Sequence, residues 1–175
     1  MSSYTKNLKV SSDIQEHLGF LCGMTKPGET VVELGFRTGI STSAFLAAGA
    51  RVRSYDIDEG CRKWVRPLAK EYPRRFSFKV GDSRKVEIPE CQLLFIDTSH
   101  VYETTKIELA RHESKVETWI VIHDVTTFGR KDRPPGKGPG IMTAVDEFLS
   151  DPDCGWKQWL FLQNSNGMAI LKRCE

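Results

Sequence analysis

The chain has no apolar run long enough to span a bilayer, and its first residues, Met1-Ser-Ser-Tyr-Thr-Lys6, carry no apolar stretch of the secretory kind. Neither a membrane protein nor a secreted one is expected, and the expected compartment is the cytoplasm. Charge of one sign is also scarce. Against 25 lysines and arginines stand 23 aspartates and glutamates, a net +2, too small an excess to draw the chain to nucleic acid or to an anionic membrane. Paired cysteines are missing: Cys22, Cys61, Cys91, Cys154 and Cys174 are scattered, odd in number and never spaced C-x-x-C. They read as free thiols in a reducing compartment and speak against a disulfide frame or a cysteine zinc site. Repeats, low-complexity tracts and the dinucleotide signature G-x-G-x-x-G are absent too.

What is present is one domain. With 39% hydrophobic residues, 175 residues can bury a core of their own. The expected organisation is a helical N-terminal segment over 1–27, where Ile14, Leu18, Phe20 and Leu21 mark a short helix, and a core over 28–175. Apolar runs and helical periodicities then alternate. Strands are expected at Val31–Leu34, Arg51–Asp56, Phe76–Val80, Gln92–Ile96 and Trp119–Ile122. The fourth, strongly apolar, belongs at the centre of a sheet. Helices are expected at Ser41–Ala48, at about Cys61–Tyr72 (broken at Pro67 or ended at Pro73), at Tyr102–His112 with Ile107 and Leu109 inward, and at Ile141–Leu149. Trp156–Leu162 and Met168–Leu171, joined by Gln163-Asn-Ser-Asn-Gly167, read as a closing hairpin. The fold class is therefore α/β: a Rossmann-like three-layer sandwich around a mostly parallel seven-stranded sheet with an antiparallel hairpin at its C-terminal end.

The most specific stretch is Thr30-Val-Val-Glu-Leu-Gly-Phe-Arg-Thr-Gly-Ile-Ser-Thr42. A strand ends in Glu33, a turn holds Gly35 and Gly39, and Ser41 opens a helix. Strand, glycine turn and helix present backbone N–H groups and a helix N-terminus to a nucleotide-like ligand. The spacing is Glu33-x-Gly35-x-x-x-Gly39, and a carboxylate ahead of the first glycine repels a pyrophosphate but suits a cation. Asp56 closes the next strand about 20 residues on, where a carboxylate grips ribose hydroxyls. This pattern resembles the first motif of the class I S-adenosylmethionine-dependent methyltransferases. The resemblance covers about residues 28–173, because that family also ends in a hairpin where plain dinucleotide folds end in a parallel strand. It implies a cofactor site built from Glu33, Gly35, Phe36, Arg37, Thr38, Gly39, Ser41, Asp56, Ile57, Asp82, Ser83 and Asp97. The loop would cradle the amino-acid end, Asp56 the ribose and Asp82 the adenine amino group.

Five neighbouring strand ends carry a carboxylate: Glu33, Asp56, Asp82, Asp97 and Asp124. Carboxylates crowd together only where a cation or a donor-rich ligand offsets their repulsion. The segments Leu94-Phe-Ile-Asp-Thr-Ser-His-Val-Tyr-Glu103, Val121-Ile-His-Asp124 and Gly138-Pro-Gly-Ile-Met-Thr-Ala-Val-Asp-Glu-Phe148 narrow the resemblance. They are similar to the subgroup of cephalosporin-hydroxylase-like proteins and macrolide-sugar O-methyltransferases. That similarity implies Asp97 and Asp124 as metal ligands and His100 as general base. A Mg²⁺-bound hydroxyl loses its proton more readily, and a neutral imidazole accepts it near pH 7. The sequence departs from the subgroup at His123, where a glutamate ligand is expected. Mg²⁺ prefers oxygen, and imidazole suits Mn²⁺, Fe²⁺ or Zn²⁺. Three alternatives stay open: two aspartates and water around Mg²⁺, a softer ion with His123 as third ligand, or no metal. His123 also reads as a strand-end histidine bonded to a backbone carbonyl.

The reading of function is an enzyme, a methyltransferase acting on a hydroxyl of a small sugar- or polyol-like acceptor. The acceptor site would come from short loops, the N-terminal helix or a second copy in a homo-oligomer. The basic loop Gly129–Gly140 reads as a lid over the acceptor, where Arg130, Lys131, Arg133 and Lys137 could meet an acidic or phosphorylated acceptor, or as a solvated linker. A nucleic-acid methyltransferase is the weaker reading, since no recognition domain, basic excess or N/D-P-P-Y/F motif is present. A non-catalytic relative keeping the cofactor fold is the other alternative, and a nicotinamide oxidoreductase is disfavoured by the glycine spacing.

Overall fold

The computed structural model describes residues 1–131 and 138–174. Seven strands form one sheet: β1 (Thr30–Leu34), β2 (Arg51–Asp56), β3 (Phe76–Val80), β4 (Cys91–Ile96), β5 (Val116–His123), β6 (Trp156–Leu162) and β7 (Met168–Arg173). Their order is β3-β2-β1-β4-β5-β7-β6. The first five run parallel, and β7 pairs antiparallel with both β5 and β6. The hairpin thus supplies one edge of the sheet, and β4 is the middle strand. Its Leu93, Leu94, Phe95 and Ile96 are all buried, as an apolar run covered on both faces must be.

The helices are α1 (Ser3–Asn7), α2 (Leu18–Met24), α3 (Ile40–Ala47), α4 (Arg62–Glu71), α5 (Tyr102–His112) and α6 (Ile141–Ser150). Alternate side chains of the sheet feed two apolar layers. One packs Val31, Phe45, Leu93 and Phe95 with Leu18 and Leu21 of the N-terminal segment. The other packs Val32, Leu34, Leu94 and Ile96 with Leu109 and Val145. One expectation needs correction, and one pair of alternatives is decided. Ile107 is 40% exposed while Leu109 is buried, because residues two apart on a helix face nearly opposite ways; the inward face of α5 is Thr105, Glu108, Leu109 and His112. Pro67 does not break α4: it is exposed, and the helix carries on past it to Glu71. No helix among the described residues is long and apolar enough to cross a membrane, and all five cysteines are free thiols.

Candidate active site

The chain reverses direction across the sheet between β1 and β4, and ligands of open α/β sheets sit outside the strand ends at such a point. The backbone there is tightly built. Gly35 donates to the Tyr55 carbonyl (2.9 Å), and Asp97 N–H donates to the Leu34 carbonyl (2.9 Å). At Gly35 (φ 94°) a Cβ would fall 1.9 Å from the Asp97 carbonyl oxygen, so only glycine fits. Above these strand ends opens a cavity of about 970 Å³, enough for a cofactor and a small second ligand. Four non-glycine residues on its wall, Arg37, His100, Asp124 and Asn166, have left-handed backbone (φ 51°, 57°, 64° and 66°). Such strain persists only where the surrounding structure enforces it, and it gathers at functional sites.

One half of the cavity belongs to β1, β2 and β3. Asp56 Oδ2 accepts the Arg37 N–H (2.7 Å) and Oδ1 the Asp58 N–H (2.9 Å), which fixes the carboxylate at the rim. Asp82 accepts from Arg84 Nε (2.9 Å) and Nη2 (2.8 Å), and these bonds hold its carboxyl below the usual range. Gly35, Arg37, Ile57, Ser83 and Asp97 line the same cavity. The remaining expected cofactor residues do not. Phe36 packs on Phe76 and Phe78 (centroids 5.8 and 5.0 Å). Gly39 (φ 75°) is pressed against Leu68 and Phe36. Thr38, Ser41 and Glu33 also lie off the lining. Glu33 is wholly buried, and accepts hydroxyl hydrogen bonds of 2.5 Å from Ser41, Thr42 and Ser54. Burial raises its pKa to about 7, against the pull of those three hydroxyls. Glu33 therefore braces β1, β2 and α3 beneath the loop, off the lining of the cavity.

The other half belongs to β4 and β5. His100 Nε2 lies 3.2 Å from Asp97 Oδ1 and closer still to Asp124 Oδ2. Phe128 stacks on the imidazole (centroids 4.9 Å, 20°). Burial opposes a charge on His100, but the bonds to Asp124 and Asp97 outweigh it and push the pKa up to about 9. His123 Nε2 donates to the Ser165 carbonyl (3.0 Å). Its Nδ1 is 3.6 Å from both Asp97 Oδ1 and Asp124 Oδ2. Burial again opposes the charge, and the two carboxylates push His123 up to about 10. Both carboxyls are held below the usual range by the two histidines, against the effect of burial. Ligand atoms of Asp97, His100 and Asp124 lie within 4.8 Å of one another. Asp124 Oδ1, His100 Nδ1 and His123 Nδ1 are buried without a hydrogen-bond partner among the described residues.

Sequence reasoning missed several lining residues. Asp13 reaches the cavity from the N-terminal segment and pairs with Arg37 Nη1 (2.6 Å); a pairing across 24 positions leaves no local pattern. Asn166 arrives on the β6–β7 turn and Phe128 on the segment after β5. Behind the wall, Glu108 of α5 is buried and accepts from Thr98 Oγ1 (3.1 Å); burial raises its pKa to about 7. Of the lid residues, Arg133 and Lys137 lie outside the described residues, while Arg130 and Lys131 are exposed.

Comparison with known proteins agrees with this geometry. A family model described as a methyltransferase domain matches residues 32–125, which run from β1 through the cavity to the residue after Asp124. No curated protein sequence matches. Among solved structures, an O-methyltransferase of Bacillus cereus in complex with SAH superposes with a TM-score of 0.72 at 17% identity, over 94% of this chain and 82% of the other. Magnesium protoporphyrin IX methyltransferase of Synechocystis PCC 6803 with bound SAM does so at 0.72 and 15%, over 99% and 85%. A SAH-bound methyltransferase of Podospora anserina does so at 0.71 and 14%, over 95% and 81%. At such identities the likeness is one of fold, whereas the family match spans more than half the sequence. The chain belongs to the methyltransferase-domain family, with the fold of the class I S-adenosylmethionine-dependent enzymes.

Proposed function

We propose that this protein transfers the methyl group of S-adenosylmethionine to a hydroxyl of a small neutral acceptor, sugar- or polyol-like, with His100 taking the proton. The observation that carries this reading is the imidazole of His100 held between Asp97 and Asp124 in the cavity that also holds Gly35 and Asp56. Asp56, with both oxygens fixed by backbone donors, suits ribose hydroxyls. In the transfer, an acceptor oxygen attacks the sulfonium methyl in line. The C–S bond breaks with its electron pair staying on sulfur, a C–O bond forms, and the hydroxyl proton passes to His100. His100 must first be neutral, and its carboxylate neighbours favour the charged form. A sulfonium entering this acidic cavity works against that proton.

A divalent ion fits the same residues. His123 presents an unpartnered Nδ1 to two carboxylates while its Nε2–H is tied to a carbonyl, the arrangement that orients a metal-binding histidine. Asp97, Asp124 and an imidazole would hold it, a donor set that suits Mn²⁺ better than Mg²⁺. Bound there, the ion would polarise the acceptor hydroxyl. A cytoplasmic location is consistent with the five free thiols.

A second reading, a relative that binds the cofactor without turning it over, is favoured by the two carboxylates that push His100 up to about 9 and so away from a neutral base. Calorimetric titration with S-adenosylhomocysteine and with NAD, each with and without Mn²⁺, tests the cofactor. Micromolar binding of the first and none of the second is expected, and the reverse sinks the proposal. Labelled methyl transfer to a panel of hydroxylated compounds then separates the two readings, since the second predicts none.

A further inference from the structure

The turn joining β6 to β7 is held more firmly than closing a hairpin requires. Ser165, Asn166 and Gly167 are all left-handed (φ 46°, 66° and 88°), where a two-residue hairpin turn needs two such positions and serine is disfavoured. Every residue from 164 to 167 is tied down. Asn164 Nδ2 donates to Glu16 Oε2 (2.7 Å), and its Oδ1 is 3.3 Å from His17 Nε2. The Ser165 carbonyl accepts from His123 Nε2 (3.0 Å). The Asn166 carbonyl accepts two N–H groups, of Thr126 (2.7 Å) and Thr127 (3.2 Å). A Cβ on Gly167 would come 2.1 Å from Thr126 Oγ1. The backbone of Asn166 is thus fixed from both sides, while its carboxamide makes no hydrogen bond to any described residue. Asn166 lines the cavity with Asp97, His100 and Asp124.

The chemistry of the neighbours says what that carboxamide meets. Asp97 and Asp124 accept protons or hydrogen bonds, and an anionic ligand would face both carboxylates. Asn166 supplies the complement, an uncharged N–H donor on rigid backbone. We propose that Asn166 is a specificity-determining contact to the acceptor. Its amide donates to one oxygen of a neutral diol whose neighbouring hydroxyl faces His100. The role of that second hydroxyl rests on the methyl-transfer reading; the diol contact itself does not.

The test uses the full-length ¹⁵N-labelled protein saturated with S-adenosylhomocysteine. Two neutral diols, methyl α-D-glucopyranoside and catechol, and one anionic polyol, gluconate, are titrated in. The side-chain amide signals of Asn166 are assigned by their loss in Asn166→Asp. At least one neutral diol should bind and move those signals, and gluconate should not bind. Asn166→Gly suits the left-handed backbone. It should weaken the diol by about tenfold, one lost hydrogen bond, without lowering the melting temperature and with S-adenosylhomocysteine affinity unchanged. Asn166→Asp keeps the size and loses the donor, and should lose the diol equally. The proposal falls if neither diol binds, if a diol binds with the Asn166 signals unmoved, or if either variant binds it as the parent does. Should S-adenosylhomocysteine fail to bind, the cofactor reading falls instead, and titration of the diols alone still decides the contact.

Discussion

The two halves of the cavity are built on opposite terms. Beside β2 and β3 each carboxylate is already satisfied by its own chain, Asp56 by two backbone N–H groups and Asp82 by Arg84. Beside β4 and β5 the polar atoms are left wanting. Asp124 Oδ1, His100 Nδ1 and His123 Nδ1 have no hydrogen-bond partner among the described residues, and His100 and Asp124 sit on strained backbone. Buried polar groups are paired as a rule, and exceptions mark places where something else completes the set. In the first half the carboxylates already have donors from their own chain; in the second, buried polar atoms lack hydrogen-bond partners among the described residues, which is where the proposed acceptor and cation would bind.

Removing the group at the centre of the second half is expected to have the largest effect. His100→Ala should lower kcat by about 10²–10⁴-fold, the usual contribution of a general base, and leave S-adenosylhomocysteine affinity within about twofold. A variant that turns over normally would dissolve the distinction between the halves. Next comes the brace beneath the first half. Glu33 has a native pKa of about 7 against an ordinary 4.5. Its raised value means that its stabilising share is complete below pH 4.5 and is lost as pH climbs to 7. Over that window the parent should lose up to about 3 kcal/mol relative to Glu33→Gln, read from urea unfolding at several pH values. Glu108, also near 7, contributes equally to both proteins and cancels. Parallel pH curves would mean that Glu33 is ionised when folded. The smallest effect is expected from the first half itself. Asp56→Ala should weaken S-adenosylhomocysteine by about 1–3 kcal/mol through lost charge-assisted bonds, with kcat unchanged at saturating cofactor. A fall in kcat instead would show that the two halves act as one.

The sheet was largely legible because its signals are local. β2, β3 and α5 have the bounds their periodicity predicts. β5 starts three residues earlier than its apolar run, at Val116, because pairing with β4 carries the strand through the polar pair Glu117 and Thr118. α1 escaped because it buries nothing and leaves no periodic stripe. The site was legible where spacing encodes it: Asp56, Asp97, His100 and Asp124 all reach the cavity. Glu33 illustrates the limit. Its position ahead of the glycines was plain, but the hydroxyls that enclose it come from α3 and β2, and only the folded sheet brings them together. Asn166 was hidden for the opposite reason. A Gln-Asn-Ser-Asn-Gly turn is explained by its turn chemistry alone, so nothing in it announces a residue that lines the cavity.

The left-handed residues around the cavity bear on how this protein can be improved. Glycine adopts that backbone freely; at His100 and Asp124 the buried pair they form with each other opposes the exchange, so a screen that rewards heat resistance alone should collect glycine at Arg37, whose pairing with Asp13 is exposed. That change would relax the fold and remove a side chain that lines the cavity, so selection for robustness and selection for turnover pull in opposite directions at this position.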